Sequence, residues 1–145
     1  SKLASIDVSR FDTSKVTDMN SIFNTCSSLK SIDLSNFVTT NLTNMAYMFS
    51  NCSGLTSLDL SSFTTSKVTS MSYIFSGCKN ITVLNISSFD LSDSNTVLTR
   101  FGSMFNGMSS SCQVKVKDTN AQSWVLSAEN AHPTSWSTSN VLVQA

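Results

Sequence analysis

The sequence predicts an α/β protein made of stacked repeats, a right-handed solenoid with one parallel sheet. The first observation is a repeat of 26 residues that runs through most of the 145-residue chain. The second is that each repeat carries a strand pattern followed by a helix pattern. A period of this size is typical of arrays in which each repeat stacks only on its neighbours. Two of the recurring apolar columns are Leu3, Leu29, Leu55, Ile81 and Phe11, Phe37, Phe63, Phe89.

Each repeat opens with a strand pattern. In the third repeat Leu58, Asp59 and Leu60 alternate apolar, polar and apolar, which is the period of a half-buried strand. Leu55 and Phe63 bracket this triplet with further apolar groups. Successive strands joined by crossover connections run parallel, and such connections are right-handed. We therefore expect one parallel sheet of about five short strands.

A helix pattern follows the strand. Five apolar residues recur at the spacing of one helical face, which predicts a short helix on the side opposite the sheet. Thr69 stands just before it, where a hydroxyl can cap the first turn, and Thr17 and Thr43 occupy the same place in earlier repeats. The five residues are Val68, Met71, Ile74, Phe75 and Cys78.

The chain is predicted to form a single repeat domain over residues 1–145. The repeats are 3–28, 29–54, 55–80 and 81–110, and a fifth strand and an irregular C-terminal cap follow over 111–145. In the fourth repeat the second apolar pattern returns late, so we expect extra residues to bulge around Leu91 to Thr96. The chain begins inside a repeat, which predicts the C-terminal part of a longer array. Four apolar residues are expected to seal the cap: Trp124, Val125, Leu126 and Trp136.

Composition excludes some classes of function. Nine Lys and Arg balance nine Asp and Glu without a basic run, so we expect no nucleic acid partner. No apolar run approaches the length of a membrane span, so we expect no membrane insertion. Low charge with abundant Ser, Thr and Asn is common on secreted and cell-surface modules.

The repeat resembles a known family. Residues 55–78, LTSLDLSSFTTSKVTSMSYIFSGC, closely resemble the repeat of BspA-like leucine-rich-repeat surface proteins, and near copies start at Leu3 and Leu29. The tail from Trp124 through Pro133 to Trp136 is similar to the segment that ends arrays in this family. The resemblance implies a leucine-rich-repeat-like solenoid, secreted or on a bacterial cell surface, that adheres to host proteins or other cells. It implies no cofactor and no common catalytic motif.

The cysteines have two interpretations. Cys26, Cys52 and Cys78 stand 26 residues apart, which fits no zinc pattern, so we expect no metal site. Each closes the apolar face of its repeat, which favours buried free thiols that pack as small hydrophobes. Stacked cysteines on adjacent repeats could also come within disulfide distance. Cys112 lies outside this series and is expected to be partly exposed.

The outward positions of the strands form polar columns. If Leu58 and Leu60 point inward, the central column reads Asp7, Asp33, Asp59, Asn85, Lys115. Like charges would then lie about 4.8 Å apart, one per strand. One interpretation is that the flanking serines donate to each Asp. The other is a ligand-binding stripe, weakly able to hold Ca²⁺, formed by Asp7, Asp33, Asp59, Ser31, Ser57, Asn85 and Val83.

These observations favour a non-enzymatic, monomeric interaction module. We expect it to bind an extracellular or host-surface protein or glycan through its exposed repeat faces. The alternative is a rigid spacer without a ligand of its own. An enzyme is disfavoured because the only His, His132, lies in the irregular tail without an evident catalytic partner.

Overall fold

The protein has one parallel sheet and one short helix within the residues described by a computed structural model, which are 3–91, 101–127 and 132–144. The α/β class and the parallel sheet are therefore confirmed. The helix, α1, spans Thr119–Val125. The four strands lie side by side in chain order: β1 Ser57–Asp59, β2 Val83–Asn85, β3 Gln113–Val116 and β4 Val141–Val143.

The register of the first three strands follows the repeat. Leu58 pairs with Leu84 and Leu84 with Val114, and all three side chains are buried. One residue later, Asp59 pairs with Asn85 and Asn85 with Lys115, with their side chains on the outer side. The predicted column is thus confirmed from the third repeat onward. Equivalent residues of neighbouring repeats meet because the chain advances by one strand per repeat.

The prediction of about five strands, one per repeat, is wrong. Within the described residues, the segments around Asp7 and Asp33 are not part of the sheet. Among the described residues, the backbone hydrogen bond between these two segments lies where they begin, from the Lys30 N–H to the Ala4 carbonyl at 3.2 Å. Like charges directly opposite one another disfavour strand pairing. Pairing begins where Asn85, rather than another Asp, faces Asp59.

The predicted repeat helices are also wrong. Where a helix was expected, consecutive tight turns alternate with hydrogen bonds between repeats. Tyr47 and Phe49 donate their N–H groups to the carbonyls of Ser72 and Ile74 in the next repeat. Directly after these donors, the Ser50 N–H donates back to the Tyr47 carbonyl, closing a turn within the repeat. A second hydrogen-bonded ladder therefore runs along the repeats, in addition to the sheet.

Left-handed backbone accounts for the absence of a helix. Each repeat has two residues with positive φ, four positions apart, such as Tyr73 at 58° and Gly77 at 75°. An α-helix cannot include such residues, and outside Gly and Asn each costs about 1–2 kcal/mol. The two columns read Ser21, Tyr47, Tyr73, Ser103 and Thr25, Asn51, Gly77, Gly107.

The threonines expected to cap helices instead join repeats. The Thr43 hydroxyl and N–H both donate to the Thr17 carbonyl, and Thr69 repeats these contacts on Thr43. A second set of threonines is buried. Thr39 accepts from the Thr64 N–H at 2.8 Å and donates to the Thr64 carbonyl. These hydroxyls bond main-chain groups of neighbouring repeats inside or beside the core.

One apolar core runs between the sheet and the second ladder. Equivalent aromatic rings stack along it: the Phe37 and Phe63 centroids are 6.4 Å apart, and those of Phe49 and Phe75 are 6.3 Å apart. The interior columns expected from the repeat are therefore confirmed. At the N-terminal end, Leu3 and Phe11 remain 40% and 56% exposed.

The C-terminal segment closes the other end. It is more regular than predicted, because it contains α1 and β4. Val125 and Trp136 are buried as expected, and Trp124 and Leu126 pack partly buried against the core. The bulge predicted around Leu91 to Thr96 lies outside the described residues beyond Leu91, which is itself buried.

Candidate functional site: two acidic clefts between repeats

Two clefts open on the outer face where the first three repeats fail to pair as strands. The first cleft, of about 160 Å³, lies between Asp7 and Asp33. The second, of about 230 Å³, lies between Asp33 and Asp59. Ile6 and Val8 contribute apolar surface to the first, and their equivalents Ile32 and Leu34 do so in the second. Each cleft thus combines two carboxylates with an apolar floor.

A local turn fixes each carboxylate. Oδ1 of Asp7 accepts the N–H of Ser9 at 2.9 Å, and Asp33 and Asp59 do the same with Ser35 and Ser61, at 2.9 Å and 2.8 Å. A short acidic side chain that accepts the N–H two residues later forms an Asx turn. The interpretation in which the flanking serines donate to each Asp is therefore confirmed in part, since the donor is the main-chain N–H of the serine that follows each Asp. It accounts for one oxygen of each carboxylate.

These hydrogen bonds favour the charged carboxylate. The Ser9 and Ser35 donors hold the pKa values of Asp7 and Asp33 below the ordinary value of 3.8. Burial raises the pKa of Asp59, but hydrogen bonds from Ser61 and Asn85 and the Lys115 charge outweigh it, so the net pKa is lowered. All three groups are negatively charged at neutral pH.

The three Asp residues differ in the further hydrogen bonds that their carboxylates accept. Oδ2 of Asp59 accepts from the Asn85 amide at 3.3 Å. Among the described residues, the donors to Asp7 and Asp33 are the turn serines Ser9 and Ser35, and neither Asp forms an ion pair. Two negative charges without an ion-pair partner among the described residues therefore line the first cleft, and one of them, Asp33, also lines the second.

The remaining predicted site residues lie beside the clefts. Ser31 and Ser57 are exposed one column away, and Ser57 pairs with the half-buried Val83 in the sheet. Asn85 is half-buried and reaches the site only through its bond to Asp59. The structure thus brings Asp7, Asp33 and Asp59 together around the clefts, whereas Ser31, Ser57, Val83 and Asn85 do not line them.

Sequence reasoning missed the residues that complete the clefts. Ser9 and Ser35 line the first cleft together with Asn36, and Ser35 and Ser61 line the second. The Asn36 amide donates to the Val8 carbonyl at 3.1 Å and so bridges two repeats that lack strand pairing. The recurring Asp-x-Ser triplet was a signal for the turn. The opening between repeats left no signal in a single repeat.

The cysteines are free thiols. Cys52 and Cys78 are buried, and each thiol donates to a carbonyl of the preceding repeat, that of Phe23 at 3.0 Å and that of Phe49 at 3.1 Å. Burial raises the pKa of Cys52 to about 11 and that of Cys78 to about 12. Cys112 is fully buried, which corrects the expectation of partial exposure. The interpretation as buried packing thiols is therefore confirmed for Cys52 and Cys78, whereas Cys26 is only half-buried against the core.

In the described part of the chain, three or more His, Cys, Asp or Glu residues do not come together as a metal-binding group. His132 contacts the main-chain carbonyls of Pro133 and Leu126 and stacks on Trp136. No helix of the described residues is long and apolar enough to cross a membrane.

Comparison with known proteins gives one match. No curated protein and no solved structure matches the chain. The model of one family, described as "Mycoplasma protein of unknown function, DUF285", matches residues 1–119. This range includes the four repeats, both clefts and the first three strands. The chain belongs to this family of proteins of unknown function.

Proposed function

We propose that the protein is a non-enzymatic interaction module, a leucine-rich-repeat-like solenoid of the BspA-like type that binds a partner at a cell surface. The observation that supports this proposal best is the pair of acidic clefts at successive repeats. Their ligand is an extracellular or host-surface molecule. The resemblance of residues 55–78 to BspA-like repeats supports the surface location.

The chemistry of the clefts favours a protein with exposed Lys or Arg over an uncharged glycan. Asp7 and Asp33 carry charge that no basic side chain of the described residues neutralises by an ion pair. A cationic side chain could lie between the two carboxylates while its methylene groups cover the partly buried Ile6. Serine hydroxyls at the rim can accept or donate the remaining hydrogen bonds.

Repetition supplies the affinity in this proposal. A single exposed ion pair contributes at most about 1 kcal/mol, so one cleft alone would bind weakly. Two clefts related by one repeat can engage two basic groups of the same partner. The second contact then forms within an existing complex, so the overall affinity of the two contacts exceeds that of either one alone.

The experiment measures binding to immobilised extracellular-matrix proteins by biolayer interferometry. The test variant is D7N/D33N/D59N, which removes the charges but keeps the turns. Asn is compatible with this position, since Oδ1 of Asn85 accepts the Ser87 N–H in the same way. We expect the variant to weaken binding at least about tenfold, and salt to weaken the parent in the same direction.

The matched control is D12N. Asp12 forms the same turn with Ser14 and lies outside both clefts. Its replacement should leave binding unchanged. If the triple variant binds as well as the parent while remaining folded, the clefts are the wrong surface. If the parent binds none of the panel, the proposal gives way to the spacer, in which the repeats only hold another domain at a distance.

A further inference from the structure

A pair of tyrosines stands out on the second ladder, away from the clefts. Tyr47 and Tyr73 occupy equivalent positions in adjacent repeats, with ring centroids 4.9 Å apart and planes within 7° of parallel. Both remain exposed, at 39% and 37%. Since each ring covers one face of the other, the exposure belongs to the outer faces and the edges.

Main-chain hydrogen bonds hold the backbone that carries these rings. Tyr47 and Tyr73 have a φ of 58°, which bulky side chains rarely adopt. Each N–H donates to the next repeat, Tyr47 to the Ser72 carbonyl and Tyr73 to the Gly102 carbonyl. Each carbonyl in turn accepts a bond within its own turn. The two rings therefore project from equivalent, hydrogen-bonded positions one repeat apart, where they stack on each other.

On each side of the tyrosine pair the column carries a serine where the pair has a ring, and we call the place of this missing ring a gap. Its outer members are Ser21 and Ser103, which share the left-handed backbone but carry small side chains. A further ring placed over either serine would continue the stack at the spacing of the repeats. Among the described residues, the hydroxyls of Ser21 and Ser103 have no hydrogen-bond partner, so they can bond a ligand in the gap.

The chemistry of the gaps selects among ring-shaped ligands. A nucleobase is disfavoured because the chain has zero formal net charge and no basic run to hold phosphates. A quaternary ammonium group needs several aromatic faces around it. Here the two free faces of the stacked rings point in opposite directions, so they cannot surround one group. A pyranose ring has an apolar face of C–H groups and a rim of hydroxyls, which matches an aromatic face beside a serine.

We propose that the tyrosine pair is a binding site for neutral pyranose sugars, with one ring stacking on the outer face of Tyr47 and another on that of Tyr73. Ser21 and Ser103 bond the sugar hydroxyls. This site is separate from the acidic clefts and does not depend on their function.

The test is an NMR titration of the whole chain with cellotetraose, chitotetraose and mannotetraose. We expect at least one of them to shift the signals of Tyr47, Tyr73, Ser21 and Ser103, with a Kd on the order of 1 mM. The variant Y47S/Y73S should weaken binding at least about tenfold. It should still fold, because Ser already occupies this backbone position at 21 and 103.

Two controls separate a sugar site from a structural stack. Y47F/Y73F keeps the aromatic faces and should bind within about threefold of the parent. D7N/D33N/D59N should bind the sugars unchanged, so that failure of one site is distinguishable from failure of the other. The inference is overturned if none of the three sugars shifts the tyrosine signals at about 10 mM, or if Y47S/Y73S binds as the parent does. Shifts caused by phenol but by no sugar would indicate an aromatic side chain of a protein partner instead.

Discussion

Asp7, Asp33 and Asp59 each have a local structural role and, in the proposed function, a second role in binding. Their Oδ1 atoms organise the turn after the strand position, and the remaining charge faces the clefts. Asn performs the local role at position 85, and it does so without charge. The choice of Asp in the first three repeats is therefore not explained by the turn alone.

The lowered pKa values predict a pH dependence of stability. A carboxyl whose pKa is lower when folded stabilises the native state fully above its unfolded value of about 3.8. That contribution is lost as the pH falls through the lower folded value. At pH values below about 4, we expect the urea midpoint of the parent to decrease, and that of D7N/D33N/D59N to decrease less.

Circular dichroism during urea titration at several pH values measures this effect. D12N is informative as a comparison, because the pKa of Asp12 is lowered by the same kind of bond from Ser14. It should remove a smaller part of the dependence than the triple variant. Equal acid sensitivity of the parent and the triple variant would contradict the role given to the Ser donors.

At the scale of elements, the sequence predicted the sheet better than the second ladder. The alternation at Leu58, Asp59 and Leu60 is local, and the repeat then fixed the register with Val83–Asn85 and Gln113–Val116. The helix prediction failed because successive tight turns also place apolar residues three and four positions apart. Asn51, Gly77 and Gly107 were the available signal, since Asn and Gly favour left-handed backbone.

The prediction of strands in the first two repeats failed for a different reason. Their alternation is intact, but pairing depends on what lies opposite in the next repeat, and there Asp faces Asp. β4 was missed because Val141–Val143 lies beyond the last repeat, outside the period that identified the others. The clefts depend on the missing strand pairing between the first repeats, and so neither their position nor their depth could be predicted from one repeat.

The buried threonines predict a specific loss of stability. Thr39→Val keeps the shape of the side chain but removes the hydroxyl that bonds both main-chain groups of Thr64. We expect a decrease of about 2 kcal/mol in the free energy of unfolding, measured by urea denaturation. Thr40→Val, at the adjacent exposed position, is the control and should change it by less than about 0.5 kcal/mol. A neutral effect at position 39 would mean that the hydroxyl bonds do not stabilise the junction.

At the scale of the whole molecule, contacts between equivalent residues of neighbouring repeats carry the architecture. Phe23, Phe49, Phe75 and Phe105 form one continuous stack that Trp136 ends in the cap. An array held by such contacts should tolerate removal of a complete repeat but not of a fraction of one.

Deletion of residues 29–54 tests this expectation. It joins Ser28 to Leu55 in phase and should leave a folded protein with a single cleft between Asp7 and Asp59. Its urea m-value should be lower by roughly a fifth, because less surface becomes exposed on unfolding. Deletion of residues 29–53 leaves the chain one residue out of phase and should abolish cooperative unfolding. Similar behaviour of the two deletions would contradict stacking by equivalent residues.

The buried thiols have a consequence for how the purified protein can be handled. Cys52, Cys78 and Cys112 are enclosed without any covalent link, and the interior is held by packing and main-chain bonds. A reducing agent should therefore leave the fold of the described residues unchanged, since none of these three positions depends on a disulfide.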